Sequence, residues 1–225
     1  MLIPRYYFSN DYRDFYEYFL TQPHTVKIFR KDEYLWNYGD PITHIYYIIS
    51  GAAMTTLEHE NGSRKISSFH GEGTVFPGFH RSVFKIEQSI ATRAVTDMET
   101  LCFTGAAFLE KLSENSRLML SPLDWYATYN NNHLYERAHH DYNSSFVKLC
   151  NLLYLFTQNS PGGRTDRIDL TQENIAEILT VTRVNAARSL GRLRDEKIIV
   201  SHRRGIEIID QKALEAYCSL ETLQS

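Results

Sequence analysis

Residues 170–194 read Leu-Thr-Gln-Glu-Asn-Ile-Ala-Glu-Ile-Leu-Thr-Val-Thr-Arg-Val-Asn-Ala-Ala-Arg-Ser-Leu-Gly-Arg-Leu-Arg. Thr171 is an N-cap candidate, and Asn174 stands at the third helical position in place of the acid that would complete a capping box. Ile175, Ala176, Ile178 and Leu179 recur at helical spacing and form the inner face of a first short helix. Thr182 caps a second helix, whose inner face is Ala186, Leu190 and Leu193. Only Thr180 and Val181 separate the two, so the pattern predicts a helix-turn-helix. The second helix exposes Arg183, Asn185, Arg188, Arg192 and Arg194, and its N-terminal residues are those expected to meet base edges in a major groove. Two short apolar runs, residues 198–200 and 206–210, then flank His202-Arg203-Arg204-Gly205. They predict a hairpin wing with Arg203 and Arg204 at its tip, suited to phosphate contact.

Charge supports this reading locally. The chain has 225 residues and a formal net charge of −3, which by itself points to no polyanion. The charge is unevenly spread, however: between Thr182 and Gly205 seven Lys and Arg residues face only Asp195 and Glu196. Such a stripe can meet DNA phosphates even on an acidic protein.

Working toward the N-terminus, residues 146–158 carry a wide apolar face (Phe146, Leu149, Leu152, Leu153, Phe156) behind a Ser144-Ser145 cap, and the segment from Asn159 to Gly163 reads as a loop. Residues 116–142 hold no glycine and one proline, Pro122, which starts or kinks a helix. Along that helix Leu123, Ala127, Asn130, Leu134 and Ala138 recur at steps of four and three. This narrow stripe needs a partner helix, with Asn130 as a buried polar registry point, and a second subunit is the expected partner. Residues 26–104 read as short strands at 26–29, 34–36, 45–49, 52–57, 64–69, 89–94 and 100–103. Asn61-Gly62 marks a hairpin, and the whole suggests an antiparallel sandwich or barrel.

These motifs resemble the Crp/Fnr transcription regulators. The resemblance is carried by Ile-Ala-Glu-Ile-Leu-x-Val-Thr-Arg-Val-x-x-x-Arg-x-Leu at 175–190, by Ile45-Tyr-Tyr-Ile-Ile-Ser-Gly51, by the Asn61-Gly62 hairpin and by Gly73-Thr-Val-Phe-Pro-Gly78. It implies an α+β chain in three parts. Residues 1–113 would form an N-terminal cyclic-nucleotide-binding-type β-roll (jelly roll), 114–143 a long dimerisation helix, and 144–225 a C-terminal winged helix-turn-helix. It also implies a homodimer that binds palindromic double-stranded DNA under effector control, with RNA polymerase a further candidate partner. Arg183 and Arg188 match the recognition-helix arginines, and Thr182 the cap near the DNA backbone. Val184 falls where many members carry a glutamate; valine cannot accept from cytosine and suits a thymine methyl instead. Asn185 replaces a frequent threonine and suits phosphate contact or adenine readout. Thr180 replaces a frequent glycine and is expected to keep a negative φ.

The same resemblance allows the sensor to be read. Cyclic-nucleotide-binding members hold the ribose with Gly-Glu and the phosphate with an Arg-Ser or Arg-Thr pair. Here Gly78-Phe79 and Gln88-Ser89 stand at those places, and glutamine offers phosphate no guanidinium fork. Cyclic AMP is therefore not expected. Arg81, Lys85 and Arg93 are the cations that could supply a phosphate partner from another place. Phe76, Phe79, Phe84, Tyr126 and Tyr129 would favour an aromatic or apolar molecule, or simply fill the β-roll core. The effector pocket is expected around Phe76, Gly78, Phe79, Gln88, Ser89, Tyr126, Asn130 and His133, its effector unidentified. An iron–sulfur cluster is not expected, because the first cysteine is Cys102. Haem is not expected either, because nothing singles out His70, His80 or His133 as an axial ligand. No cofactor or metal is identified.

Other classes are disfavoured. No G-x-S-x-G, P-loop or H-E-x-x-H motif appears, so no enzyme is expected. A sensor acting mainly through protein contacts remains an alternative, against which the basic stripe argues. Three cysteines (Cys102, Cys150, Cys218) without C-x-x-C spacing point to a reducing cytoplasm. No membrane span or signal peptide is expected.

Overall fold

In the computed structural model, residues 2–80, 82, 84–159, 165–203 and 205–223 are described. Arg81, Arg204 and most of the loop expected at 159–163 lie outside the described residues. The chain divides into two compact units: residues 7–129, and residues 1–6 together with 130–225.

The first unit is built on two sheets. Strands β1 (Tyr7–Phe8), β2 (Thr25–Phe29), β3 (Tyr34–Trp36), β4 (His44–Ser50), β5 (Ala52–Glu58), β6 (Arg64–Gly71), β7 (Val75–Phe76), β8 (Ile90–Ala94) and β9 (Met98–Thr104) fall in the orders β1-β6-β5-β8-β3 and β2-β9-β4-β7. Every pairing is antiparallel except β1 with β6. The β5–β6 hairpin closes around Asn61-Gly62, where Gly62 takes φ +80° as such a turn requires. Phe8 and Trp36 from one sheet meet Ile45, Tyr47, Phe76, Leu101 and Phe103 from the other in one core. Residues 45–48 are all buried. They do not alternate because helix α1 (Tyr16–Leu20) covers the sheet, with Phe19 5.3 Å from the Tyr47 ring and 5.7 Å from Phe103. The sequence reading lacks α1, β1 and β7, which are too short to show a periodicity.

Helix α2 (Gly105–Glu114) leads into α3 (Ser116–Tyr142), which runs through Pro122, so the proline lies within the helix and does not start it. The division between units falls within α3, after Tyr129. In the second unit the apolar and polar faces of α3 are exchanged relative to a surface helix. Asn132 and Glu136 are buried, at 1% and 9% exposure, whereas Leu134 is 61% exposed. Around this face the Tyr135 hydroxyl meets the Thr222 hydroxyl at 2.7 Å and Asn143 donates to Ser219 Oγ at 3.1 Å, while the Asn132 side-chain amide is buried without a hydrogen-bond partner among the described residues. Ala127, Asn130 and Ala138 are exposed, as is Leu123 at 62%.

The second unit continues with α4 (Ser145–Gln158), β10 (Arg167–Ile168), α5 (Gln172–Leu179), α6 (Arg183–Asp195), β11 (Ile199–His202), β12 (Gly205–Ile208) and α7 (Gln211–Glu215). Ser144 caps α4 by accepting from the Val147 amide. Leu149, Leu153, Ile175, Leu190, Leu193 and Leu214 are fully buried and form its core. The three strands lie in the order β10-β12-β11, so the expected hairpin gains β10 as an added edge. No helix among the described residues is long and apolar enough to cross a membrane.

Candidate nucleic-acid interface

The two caps of the helix-turn-helix set its geometry. Thr171 Oγ1 accepts from the Asn174 amide at 3.1 Å, and Asn174 Oδ1 accepts from the Thr171 amide at 3.1 Å. A complete capping box therefore forms with asparagine. The shorter side chain reaches because the Thr171 hydroxyl also donates to Asn174 Oδ1, at 2.8 Å, which holds the amide in place. Thr182 Oγ1 caps α6 on the Asn185 amide at 3.2 Å.

The turn between them corrects one expectation. Thr180 is left-handed, with φ +50° and ψ +43°. In that conformation the Thr180 amide donates to the Ala176 carbonyl, and the Val181 amide reaches the same oxygen at 3.1 Å. The tight path from α5 to α6 thus overrides the threonine's own preference, and its hydroxyl donates to the Leu179 carbonyl at 2.8 Å. Left-handed backbone is unfavourable for a β-branched residue. Thr180→Gly is therefore expected to stabilise the fold by about 0.5–1 kcal/mol, after allowing for glycine's greater unfolded entropy. Thermal unfolding checks this, and a lowered midpoint would contradict the strain.

Helix α6 buries Ala186, Ser189, Leu190 and Leu193 and turns Arg183, Val184 and Arg188 outward, with Val184 65% exposed. Asn185 is half-buried. Arg188 makes no ion pair with the described residues. The guanidinium of Arg183 lies 3.7 Å from the Glu173 carboxylate, both exposed. Arg192, expected among the DNA contacts, is engaged elsewhere. Its guanidinium lies 4.0 Å from the centre of the Phe146 ring and 5.0 Å from that of Tyr217, and it donates to Glu196 at 2.9 Å. The Tyr217 hydroxyl donates to the other Glu196 oxygen at 2.8 Å. Aromatic contacts and a carboxylate thus take up the fork, and Arg192 ties α6 to α4 and to the segment after α7. Arg194 donates to Ser201 Oγ at 3.3 Å, linking α6 to the wing.

A groove of about 330 Å³ lies between the start of α5, the start of α6 and the wing. Thr171, Glu173, Arg183, Ser201, His202 and Arg203 line it. Residues from three separate stretches of chain thus converge on one concave surface, to which Arg183 and Arg203 bring positive charge and Glu173 a negative one. Glu173, Ser201 and His202 escape the sequence reading because they carry no periodic signal; His202 is held by Glu207 at 2.8 Å. Arg204 lies outside the described residues.

In the first unit, Phe76, Gly78, Phe79 and Tyr126 come together. A side chain at Gly78 would stand 2.7 Å from the Tyr126 hydroxyl and 2.9 Å from the Trp125 ring, so this glycine is what lets α3 approach. The Tyr126 hydroxyl donates to the Phe79 carbonyl at 2.8 Å. Burial, with the Glu87 carboxylate adding, pushes its pKa up to about 12, so it remains a donor. The other expected pocket residues are not part of this cluster. Gln88 is exposed and its carbonyl accepts from the Gly39 amide; Ser89 is half-buried. Asn130 and His133 are exposed and belong to the other unit. Phe84 is 52% exposed and fills no core. His70 is fully buried on Ser68 Oγ.

Comparison with known families agrees with this division of labour. The Crp-like helix-turn-helix domain matches residues 147–217, and the cyclic nucleotide-binding domain matches residues 26–115. The chain belongs to the Crp/Fnr family. Its Crp/Fnr relatives include the global nitrogen regulator of Nostoc sp. (strain PCC 7120 / SAG 25.82 / UTEX 2576), 27% identical over 191 residues, covering 83% of this chain and 86% of that protein. The global nitrogen regulator of Synechococcus elongatus (strain ATCC 33912 / PCC 7942 / FACHB-805) is 26% identical over 198 residues, covering 85% and 89%. Among solved structures, FixK2 from Bradyrhizobium japonicum shares the Crp/Fnr fold with a TM-score of 0.73 at 18% identity, over 88% of this chain and 98% of that one. The chain is a DNA-binding transcription regulator of the Crp/Fnr type.

Proposed function

We infer that this regulator binds a palindromic DNA site as a homodimer, with α6 in the major groove and the wing on the phosphate backbone. The observation that carries the reading is the convergence of Thr171, Arg183 and Arg203 on one groove beside the exposed face of α6. The exposed stripe of α3, with Leu123 and Leu134 more than half exposed while Asn132 and Glu136 are buried, supports a second copy as its cover. Cyclic AMP is not an effector of this chain. Phe79 and Gln88 stand at the sequence positions where a carboxylate and a guanidinium would be needed, and neither can pair with a ribose or a phosphate as those groups do. Both relatives are named global nitrogen regulators, which makes genes responding to nitrogen supply the first targets to examine.

Selection from random duplex DNA tests the reading. It is expected to return inverted half-sites centred about one helical turn, roughly 34 Å, apart. Enrichment of a single unpaired half-site, or of no sequence at all, would overturn it.

A further inference from the structure

The segment before residue 26 lies outside the residues matched by the cyclic nucleotide-binding domain, yet it is built into the interior of the β-roll. Strand β1 pairs in parallel with β6, which sets Tyr7 beside Phe69 and Phe8 beside His70. The Asn10 amide donates to the Glu72 carbonyl at 2.9 Å, and the Tyr12 amide to the Gly73 carbonyl at 2.8 Å. The seat is shaped for this segment. A side chain at Gly71 would stand 1.8 Å from the Tyr7 hydroxyl, and one at Gly73, where φ is +74°, 3.0 Å from Asn10.

The consequence is the position of Phe8. Its side chain is fully buried. Its ring lies 5.6 Å from His70 on β6, 5.6 Å from Trp125 and 5.7 Å from Tyr129 on α3. On the strand side the stack continues from His70 to Phe76 at 3.6 Å and from Phe76 to Trp36 at 5.3 Å. On the helix side Trp125 and Tyr129 are parallel, at 5.0 Å and 10°. One ring therefore bridges the inner wall of the roll and the long helix, within a run of flat aromatic faces. The indole N–H groups of Trp36 and Trp125 are buried there without a hydrogen-bond partner. This is how a flat aromatic effector would have to sit to couple the roll to α3, and the chain supplies that ring itself.

We propose that Phe8 is a built-in ligand. It fills the place of a small planar aromatic molecule and holds α3 against the β-roll in the pose that binds DNA, so that DNA binding needs no added effector. The DNA half of this statement rests on the function proposed above; the occupancy half does not. Truncating the ring leaves an apolar cavity of the kind that takes up benzene-like molecules.

The experiment compares the full chain with Phe8→Ala, using toluene as the probe. Binding is read by calorimetry and by the fluorescence of Trp36 and Trp125, the two tryptophans of the chain. The variant is expected to bind toluene with a change in fluorescence, and the parent to show neither. Operator affinity of the variant is expected to fall by about tenfold or more and to return on saturation with toluene, because a ligand shifts a pose only by its preference for it. Toluene binding of equal strength to both proteins would overturn the proposal. So would a variant that binds toluene yet holds the operator as tightly as the parent. If Phe8→Ala lacks the circular dichroism of the parent, Phe8→Leu carries the test. It keeps apolar bulk but loses the stack, and operator affinity equal to the parent would count against the proposal. If the parent itself binds no selected operator, the DNA-binding reading has failed, and toluene uptake by Phe8→Ala alone still decides whether Phe8 is the occupant.

Discussion

Replacing Arg183 and Arg188 together with alanine is expected to erase operator selectivity. Each good bidentate contact from arginine to a guanine edge gives about 1–3 kcal/mol of discrimination, so losing two lowers the preference for the operator by about 30-fold to 10⁴-fold. Both side chains stand on the exposed face of α6, close to its capped N-terminus. Arg183 must leave Glu173 to reach a base. That exchange is favourable, because an exposed ion pair at 3.7 Å is worth little beside a base contact. Two other variants separate readout from other roles. Arg203→Ala is expected to weaken binding to all sequences alike and to flatten the salt slope by about 0.9 per phosphate contact. Arg192→Ala is expected to lower stability and leave sequence preference intact, since Phe146, Tyr217 and Glu196 already occupy its guanidinium. Fluorescence anisotropy on operator and scrambled duplexes, over a range of salt, measures all of these. Retained discrimination in the double variant would mean that α6 is not the reading element.

The paired substitution Leu123→Glu and Leu134→Glu is expected to give a monomer with greatly reduced operator affinity. Both leucines are more than 60% exposed in the single chain. Fully burying a leucine contributes about 1.5–3 kcal/mol, about three-fifths of that remains to be gained at each site, and a twofold interface buries each one twice, so roughly 4–7 kcal/mol of association is removed before any charge repulsion. Asn130, exposed between them, would set the register of the paired helices. Because neither leucine contributes to the core of its own chain, the thermal midpoint measured at low concentration should hardly change. Sedimentation velocity distinguishes the outcomes. A double variant that sediments as the parent does would exclude this face of α3 as the interface.

Much of this organisation is legible in the sequence because it depends on local spacing. The helix-turn-helix shows at once: Ile175, Ala176, Ile178 and Leu179, then Ala186, Leu190 and Leu193, recur with the helical period and are buried as that period requires. Thr171 and Thr182 cap as their chemistry dictates. The wing follows from two apolar runs around a basic turn, and α3 from an uninterrupted stretch whose exposed stripe steps by three and four. The family resemblance rests on these same local patterns.

What the tertiary structure alone decided concerns residues whose role depends on distant neighbours. Thr180 has a positive φ because the α5–α6 geometry requires it, against the residue's intrinsic preference. Arg192 looks like a DNA contact along the helix, but Phe146 and Tyr217, 46 residues before it and 25 after it, stack against its guanidinium and Glu196 pairs with it. Gly78 and Phe79 read as a damaged sugar-binding pair; in the fold they are the place where Trp125 and Tyr126 dock. Phe8 belongs to a two-residue strand too short to carry any period, and only its pairing with β6 puts its ring among His70, Trp125 and Tyr129. Periodicity and capping are properties of neighbouring residues and can be read along the chain. Which aromatic ring fills a core, and which arginine stays free for DNA, depends on contacts that exist only once the chain has folded.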